Sequence, residues 1–422
     1  MTTGTKDRRT FLGHCIALAV AGGLAGTRES QAAAPAGAVE IRGARWWDGR
    51  RFVERTGYIV ADRFADTRPA GAVRLLELDG AFLVPPLADA HNHGIGTGDE
   101  PRDRAMIASY LRTGVCYMLS HGNFPLDAAD KARLGLGQPG GLDVALAQGS
   151  LTCPGGHPMG LIRERLLPEG YFPGETLESL RDRRFFEIAS VGELEAKWPL
   201  LRAQRGDIIK YFLDHSDLHE QRKDDPAFFG RRGVAPGLAA PIVRKAHAEG
   251  LRVSAHVANR ADFRTALQAG TDIIAHLPAD RLTAEDAREA ATRGVLQITT
   301  CAAVARPRPG SPPPGEVVEN QKWNLRLLRQ AGVHLAIGTD DPSDPGPREV
   351  AHLRSLGVFT DAELLALWTD ATAPAIFPDR RIGRLEPGYE ASFLALEADP
   401  TADIGNVGRI RARWKQGREV RI

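Results

Sequence analysis

Net charge, cysteine and long apolar runs are all scarce in this chain. Its 54 Lys and Arg against 53 Asp and Glu leave a formal charge of +1, which gives no argument for nucleic acid or an anionic membrane as partner. The four cysteines, Cys15, Cys116, Cys153 and Cys301, have no metal-type spacing. Only three follow the first forty residues, so at most one disulfide is available there. The fold must therefore rest on its apolar core, with the thiols read as small buried hydrophobes. The apolar stretch at residues 11–24 is too short to span a bilayer. What is present is ordinary for a soluble globular protein: 43% apolar and 25% charged residues, in a chain long enough for one large barrel-type domain and a smaller one.

The first residues read as a leader. Lys6, Arg8 and Arg9 precede the apolar stretch, and Ala32-Ala-Ala-Pro-Ala-Gly-Ala38 offers small-residue cleavage sites. Asp7-Arg8-Arg9-Thr10-Phe11-Leu12 resembles the twin-arginine export signal, with Asp7 in place of the usual Ser or Thr. Residues 1–37 are thus expected to be a twin-arginine-type signal peptide cleaved near residues 32–38, delivering a folded protein to the periplasm. Residues 38–84 and 380–422 share short alternating segments broken by Asp48-Gly49 and Asp79-Gly80, which are strand and turn signals. Two distant all-β ends are most simply paired into one small β-sandwich domain.

Residues 85–379 alternate apolar runs with helical segments. Candidate strands fall at residues 82–84, 115–119, 144–147, 208–212, 252–256, 273–276, 295–299 and 333–337. Helical stretches such as residues 241–250 and 323–332 end in glycine, as helix C-termini often do. The fold class expected is α/β: a (β/α)8 TIM-like barrel carrying the small β-sandwich. A proline-stiffened loop at residues 301–314 would follow the seventh strand, where it could cover the mouth of a site.

His91-Asn92-His93 closes an apolar run that reads as a buried strand with a polar tip. Residues i and i+2 of an extended chain point the same way. The two imidazoles therefore project together, an arrangement suited to gripping one metal ion. Alone, so short a motif reads more readily as two surface histidines in a loop. Other strand ends tip the balance: His256 closes residues 251–256, His276 closes residues 272–276 and Asp340 closes residues 334–340, while Lys210 sits in an apolar run. Catalytic residues of such barrels lie at these strand ends.

This pattern resembles the amidohydrolase superfamily. The motifs are Asp89-Ala-His-Asn-His93, Lys210 after Asp-Ile-Ile, Val253-Ser-Ala-His-Val257, Ala269-Gly-Thr-Asp-Ile-Ile-Ala-His276, Ala336-Ile-Gly-Thr-Asp340 and Arg381-Ile-Gly-Arg-Leu-Glu-Pro-Gly388. Pro154-Gly-Gly-His157-Pro158 looks like the imidazolonepropionase- and prolidase-like branch. Pro85-Pro86-Leu87 and Glu390-Ala-Ser392 depart from the family's usual Pro-Gly-Leu and Ala-Asp, and neither touches a ligand position.

The resemblance implies that His91, His93 and Asp340 hold one divalent ion, and His256 and His276 a second. Lys210 would bridge them as a carbamate formed with carbon dioxide. Zinc is the default ion, with iron and manganese as alternatives. A metal-activated hydroxide would cleave a C–N bond (amide, cyclic amide or peptide-like) of a small-molecule substrate, with Asp340 accepting the proton of water. The same site would serve an ester, lactone or phosphoester, and a non-catalytic secreted binding protein is the remote alternative. Purine- or pyrimidine-type aminohydrolases are disfavoured, because those relatives generally lack the strand-four lysine. Lys210 paired with Asp207 or Asp214 would instead leave a mononuclear site.

Candidate substrate residues are His157, Tyr211 and Arg232, with Arg231 as an alternative carboxylate clamp and His121 and His215 as further pocket residues. His219, His247, His334 and His352 read as structural. A homo-oligomer is left open.

Overall fold

The computed structural model describes residues 37–307 and 312–422. Nearly all of the expected leader (residues 1–36), with Cys15, and the centre of the proline-rich loop (residues 308–311) lie outside the described residues. Among the described residues no helix is long and apolar enough to cross a membrane.

The described residues form an α/β fold with four sheets. Three parallel strands, Leu87–Asn92, Val115–Ser120 and Asp143–Leu146, form one. Seven parallel strands form a second, in the order Phe185–Glu187, Ser150–Thr152, Ile208–Phe212, Arg252–His256, Ile273–Ile274, Leu296–Ile298 and His334–Ala336. Parallel strands need long crossovers, and helices such as Glu100–Thr113, Arg260–Ala269 and Pro314–Ala331 supply them. Each of these three stops at a glycine in the left-handed region, Gly114, Gly270 and Gly332 (φ 85°, 84° and 78°), where a Cβ would be strained.

Two strand boundaries differ from the sequence expectation. Residues 82–84 are a strand, but not the one that carries His91. Phe82–Val84 pairs with Arg45–Trp47 and Phe393–Leu396 in a six-stranded sheet, and the parallel strand begins anew at Leu87. Pro85 and Pro86 lack the N–H that a ladder needs, so one apolar run becomes two strands. The expected strand at residues 144–147 is also interrupted. Asp143–Leu146 pairs with Val115–Ser120, whereas Ser150–Thr152 pairs with Ile208–Phe212. The break falls at Gln148, whose φ is 60°. Its side chain is tied to Asn123 (2.7 Å), Leu126 O (2.9 Å) and Gln204 O (3.1 Å). Phe185–Glu187 is an additional edge strand.

The six-stranded sheet takes strands from both chain ends. Arg418–Glu419, Ile410–Lys415 and Phe393–Leu396 lie beside Phe82–Val84, Arg45–Trp47 and Phe52–Glu54. A four-stranded sheet of Arg63–Ala65, Gly57–Val60, Ala38–Arg42 and Val73–Glu77 packs with it. The contact is aromatic: Trp46 meets Phe64 at 5.6 Å and Phe64 meets Phe393 at 6.2 Å, while within the six-stranded sheet Phe393 stacks on its cross-strand neighbour Trp414 at 5.7 Å. A side chain at Gly57 would come within 2.6 Å of the Trp46 ring, so glycine there admits the indole. Cys116, Cys153 and Cys301 are free and buried.

Candidate metal centre

Alternation places the chemistry. Along Ile208–Phe212, Lys210 and Phe212 share one face, and Tyr211 takes the other. Lys210 is in register with Ser150 and Ser254, and Phe212 with His256. Polar side chains thus lie in adjacent layers near the C-terminal ends of the parallel strands. There His91, His93 and Asp340 converge, with ligand atoms all within 4.8 Å of one another. His91 Nε2 lies 3.3 Å from His93 Nε2, and Asp340 Oδ1 lies 3.5 Å and 3.4 Å from those two nitrogens. The second carboxylate oxygen, Oδ2, faces His276 Nδ1 at 4.0 Å. His276 is in ring contact with both His91 and His256 (4.5 Å each), and His157 stacks on His256 at 4.5 Å. His93 and Asp340 keep 26% and 20% side-chain exposure while His91 keeps 1%, so the centre is approached from the His93 side.

Hydrogen bonds set ring orientation. His93 Nδ1 donates to Gly122 O (3.0 Å), since a carbonyl only accepts, and this leaves Nε2 with its lone pair toward Asp340. Asn92, between the two histidines, donates to Asp89 (3.1 Å), Thr339 Oγ1 (2.6 Å) and Asp341 O (3.0 Å), and accepts from His93 N (2.7 Å) and Gly94 N (2.9 Å). It ties the strand of His91 to the turn of Asp340, a non-glycine residue held at φ 49°. The buried Asp89 carboxylate accepts from His91 N, Thr339 N and Tyr110 OH at 3.0–3.1 Å, and burial still pushes it up to about 6.

The electrostatics leave the centre with one ionised carboxylate and with basic groups driven toward neutrality. Burial pushes His91 down to about 3, and His121 and His256 well below their usual value. Burial also pushes Lys210 down to about 7. Asp340 is the exception: burial would raise it, but the contacts of His91 and His93 outweigh that and hold it well below the usual carboxylate range. Burial thus keeps the imidazoles of His91, His121 and His256 neutral beside one ionised carboxylate. His91 Nδ1 is buried without a hydrogen-bond partner.

Several expected roles change. Lys210 pairs with neither Asp207 nor Asp214: Asp207 accepts from Leu146 N (2.8 Å) and Asp214 from His215 Nδ1 (2.6 Å). The Lys210 amine instead reaches His121 Nδ1 at 3.5 Å. Tyr211 is not a pocket residue, because alternation sends it to the other face, where its hydroxyl meets Thr271 at 2.7 Å. Arg232 is no free carboxylate clamp. Its Nε and Nη1 donate to Pro154 O (3.1 Å), Arg222 O (2.8 Å) and Asp225 O (3.2 Å), locking two loops together. Arg231 is exposed and donates to Ala227 O. His215 is held by Asp214, at φ 54°.

The sequence reading passed over Asn92, Ser254 and Thr300. Thr300, at φ 45°, meets His276 Nδ1 at 3.0 Å. For Ser254 and Thr300 the available signal was a hydroxyl on, or just beyond, a strand that carries a ligand.

Residues 205–420 match the model of the amidohydrolase family, and the chain belongs to that family. Its His91, His93 and Asp340 form a group suited to a metal. It is 29% identical to an ochratoxinase of Aspergillus niger over 198 residues, which cover 43% of this chain and 39% of that protein's length. It is 27% identical to an imidazolonepropionase of Rhizorhabdus wittichii over 376 residues, 82% of this chain and 87% of that protein. Among solved structures, A. niger ochratoxinase has the same fold (TM-score 0.71, 19% identity, 91% of this chain and 95% of that one). So does a putative prolidase from Bifidobacterium longum (TM-score 0.70, 18% identity, 91% and 94%).

Proposed function

We propose that this enzyme is a metal-dependent hydrolase of C–N bonds in small amide, cyclic amide or dipeptide-like substrates. The observation that carries the reading is the convergence of His91, His93 and Asp340. Two imidazoles and a carboxylate oxygen surround one point, a donor set that fits a divalent cation. Relatives named ochratoxinase and imidazolonepropionase, and fold neighbours named prolidase and molinate hydrolase, support this reaction class.

In this reading the three- and seven-stranded sheets are two arcs of one barrel of eight strands, with the interrupted strand (Asp143–Leu146 and Ser150–Thr152) counted once and the edge strand Phe185–Glu187 left out. Backbone bonds join the arcs at both seams, Ala90 N to Ile337 O (2.8 Å) and Asp207 N to Leu146 O (2.7 Å). Strands from both chain ends form its companion domain. His91, His93 and Asp340 would hold one ion, zinc by default, and His256 and His276 a second, with a carbamate on Lys210 between them. The bound ion supplies Lewis acidity toward water and toward the scissile carbonyl.

The chain's own groups do the rest. Asp340, ionised and partly open to solvent, accepts the proton of the attacking water and returns it to the leaving nitrogen. The imidazole of His157, beside Phe212 (5.0 Å) and His256, offers a flat wall and a donor to a planar acyl group. The basic and apolar sequence pattern of residues 1–37, read as a leader, is what supports a periplasmic location, which fractionation of cells expressing the full chain would test.

The test is metal analysis of the purified protein, with turnover of a panel of N-acyl amino acids, dipeptides and cyclic amides. Bound divalent metal and a turnover abolished by chelation are expected. Metal-free protein that still turns over substrate sinks the reading.

A further inference from the structure

His121 follows the strand Val115–Ser120 and is fully buried. Its ring stacks on that of the ligand His91, with centroids 4.0 Å apart and planes 17° from parallel, so it has little room to turn. Its Nε2 lies 3.0 Å from Ala90 O. A carbonyl only accepts, which places the ring proton on Nε2 and makes Nδ1 an acceptor. That acceptor faces the layer of Lys210 and Ser254, which sit opposite each other on neighbouring strands. Ser254 Oγ is 3.1 Å away and Lys210 Nζ 3.5 Å away. Among the described residues the Lys210 amine meets no carboxylate within 4.0 Å, and its other close neighbour is the face of Phe212, 5.3 Å from the ring centre.

We propose that His121 is a positioning residue for a carbamate on Lys210, accepting at Nδ1 the one hydrogen that the modified nitrogen keeps. The inference rests on the bridging carbamate of the preceding section. In that modification the Nζ lone pair attacks the carbon of carbon dioxide, forming an N–C bond. One C=O electron pair moves to oxygen and one proton passes from nitrogen to bulk water. The product is planar, and a single N–H remains on a buried nitrogen. Left unpaired, that N–H would carry the desolvation cost of a buried donor. Bonded to His121 Nδ1, it also fixes the rotation about Cε–Nζ, so the new carboxylate has one direction in which to point. Because His121 is clamped against His91, the carbamate and the first ligand are set by one rigid group. Ser254 contributes the hydroxyl of the same small network.

Two substitutions separate this role from mere packing. His121→Asn puts an amide oxygen where Nδ1 sits and loses the donor to Ala90 O. His121→Gln puts an amide nitrogen where Nε2 sits and loses the acceptor facing Lys210. Holoenzyme of each, and of wild type, is equilibrated with 13C-bicarbonate and read by 13C NMR for the carbamate carbon and by metal analysis for ions per chain.

The expected result is a carbamate signal and full metal content in wild type and in His121→Asn. In His121→Gln the signal is lost and the second ion binds about 10–100-fold more weakly. Retention in His121→Gln overturns the proposal, as does loss in both variants, which would mean that ring stacking alone matters. Wild type with neither carbamate nor a second ion overturns the bridging reading itself, and this inference with it.

Discussion

Two buried polar clusters lie toward opposite ends of the same parallel strands, and their charge balance is opposite. Near the strand starts, Lys415 meets Asp143 at 2.6 Å, Arg380 bridges Asp143 (2.8 Å) and Glu390 (2.7 Å), and Tyr117 and Ser392 donate to Glu390 at 3.0 Å and 2.8 Å. Two cations face two anions, and Lys415 has no solvent exposure at all. Burial there would raise Glu390, but the Arg380 contact outweighs it and holds the carboxylate below its usual value. At the strand ends, Lys210 and a group of imidazoles share one carboxylate, and burial drives their basic groups toward neutrality. The first cluster is complete as it stands and joins the C-terminal strands to the parallel sheet. The second becomes balanced only when a cation enters, which marks it as the working end.

The largest effect that tests this contrast is at Asp340. Asp340→Asn keeps the shape and removes the proton acceptor, and should lower kcat/KM by about 10²–10⁴-fold on whichever amide the panel identifies. Steady-state kinetics showing less than a tenfold loss would take Asp340 out of the chemistry. Next comes the opposite end. Asp143→Asn leaves the buried Lys415 cation without its carboxylate and should cost about 3 kcal/mol of unfolding free energy in guanidinium titration. A cost under about 1 kcal/mol would mean that the cluster is wetter and weaker than its burial implies.

The matching substitution at the strand ends has the reverse sign. Lys210 has a folded pKa of about 7, below its ordinary 10.5, so its penalty is present at neutral pH and vanishes above the unfolded value. Lys210→Met should therefore raise the stability of metal-stripped protein at neutral pH by about 1–3 kcal/mol while abolishing binding of a second ion. A loss of stability at neutral pH would show that Lys210 is paired after all.

The comparison also explains what the sequence could and could not reveal. His91, His93, His256, His276 and Asp340 were legible because each terminates an apolar run, a local pattern. Lys210 was legible as a polar interruption of such a run, and the alternation that puts it on one face excludes Tyr211 from the same face. The balanced cluster was not legible, because Asp143 and Lys415 are 272 residues apart and neither position is locally unusual. Arg232 misleads for a related reason: its partners are backbone carbonyls of two other loop segments, which no side-chain motif announces. The strand break at Gln148 depends on contacts with Asn123 and Gln204, again remote in sequence. Pro85-Pro86 was a local signal for splitting one strand into two, and it sets the register of everything after it.

The smallest effect concerns a buried charge that belongs to neither cluster. Asp370 lines a cavity of about 200 Å³ with Trp46, Trp47, Arg55 and Arg384. Its Oδ1 accepts from Trp47 Nε1 (3.2 Å) and Thr369 Oγ1 (2.7 Å). Both donors are neutral, and burial pushes the carboxyl up to about 6 from 3.8. A carboxyl whose folded pKa lies above its unfolded one is most favourable while protonated, below about pH 4, and its contribution is lost as pH rises through about 6. Asp370→Asn keeps an oxygen for both donors and cannot ionise. It should match wild type in unfolding free energy at about pH 4 and exceed it by about 2 kcal/mol at about pH 8. Paired denaturation curves at the two pH values decide the matter. A difference independent of pH would show that the Arg384 charge already balances Asp370, placing it with the complete cluster rather than between the two.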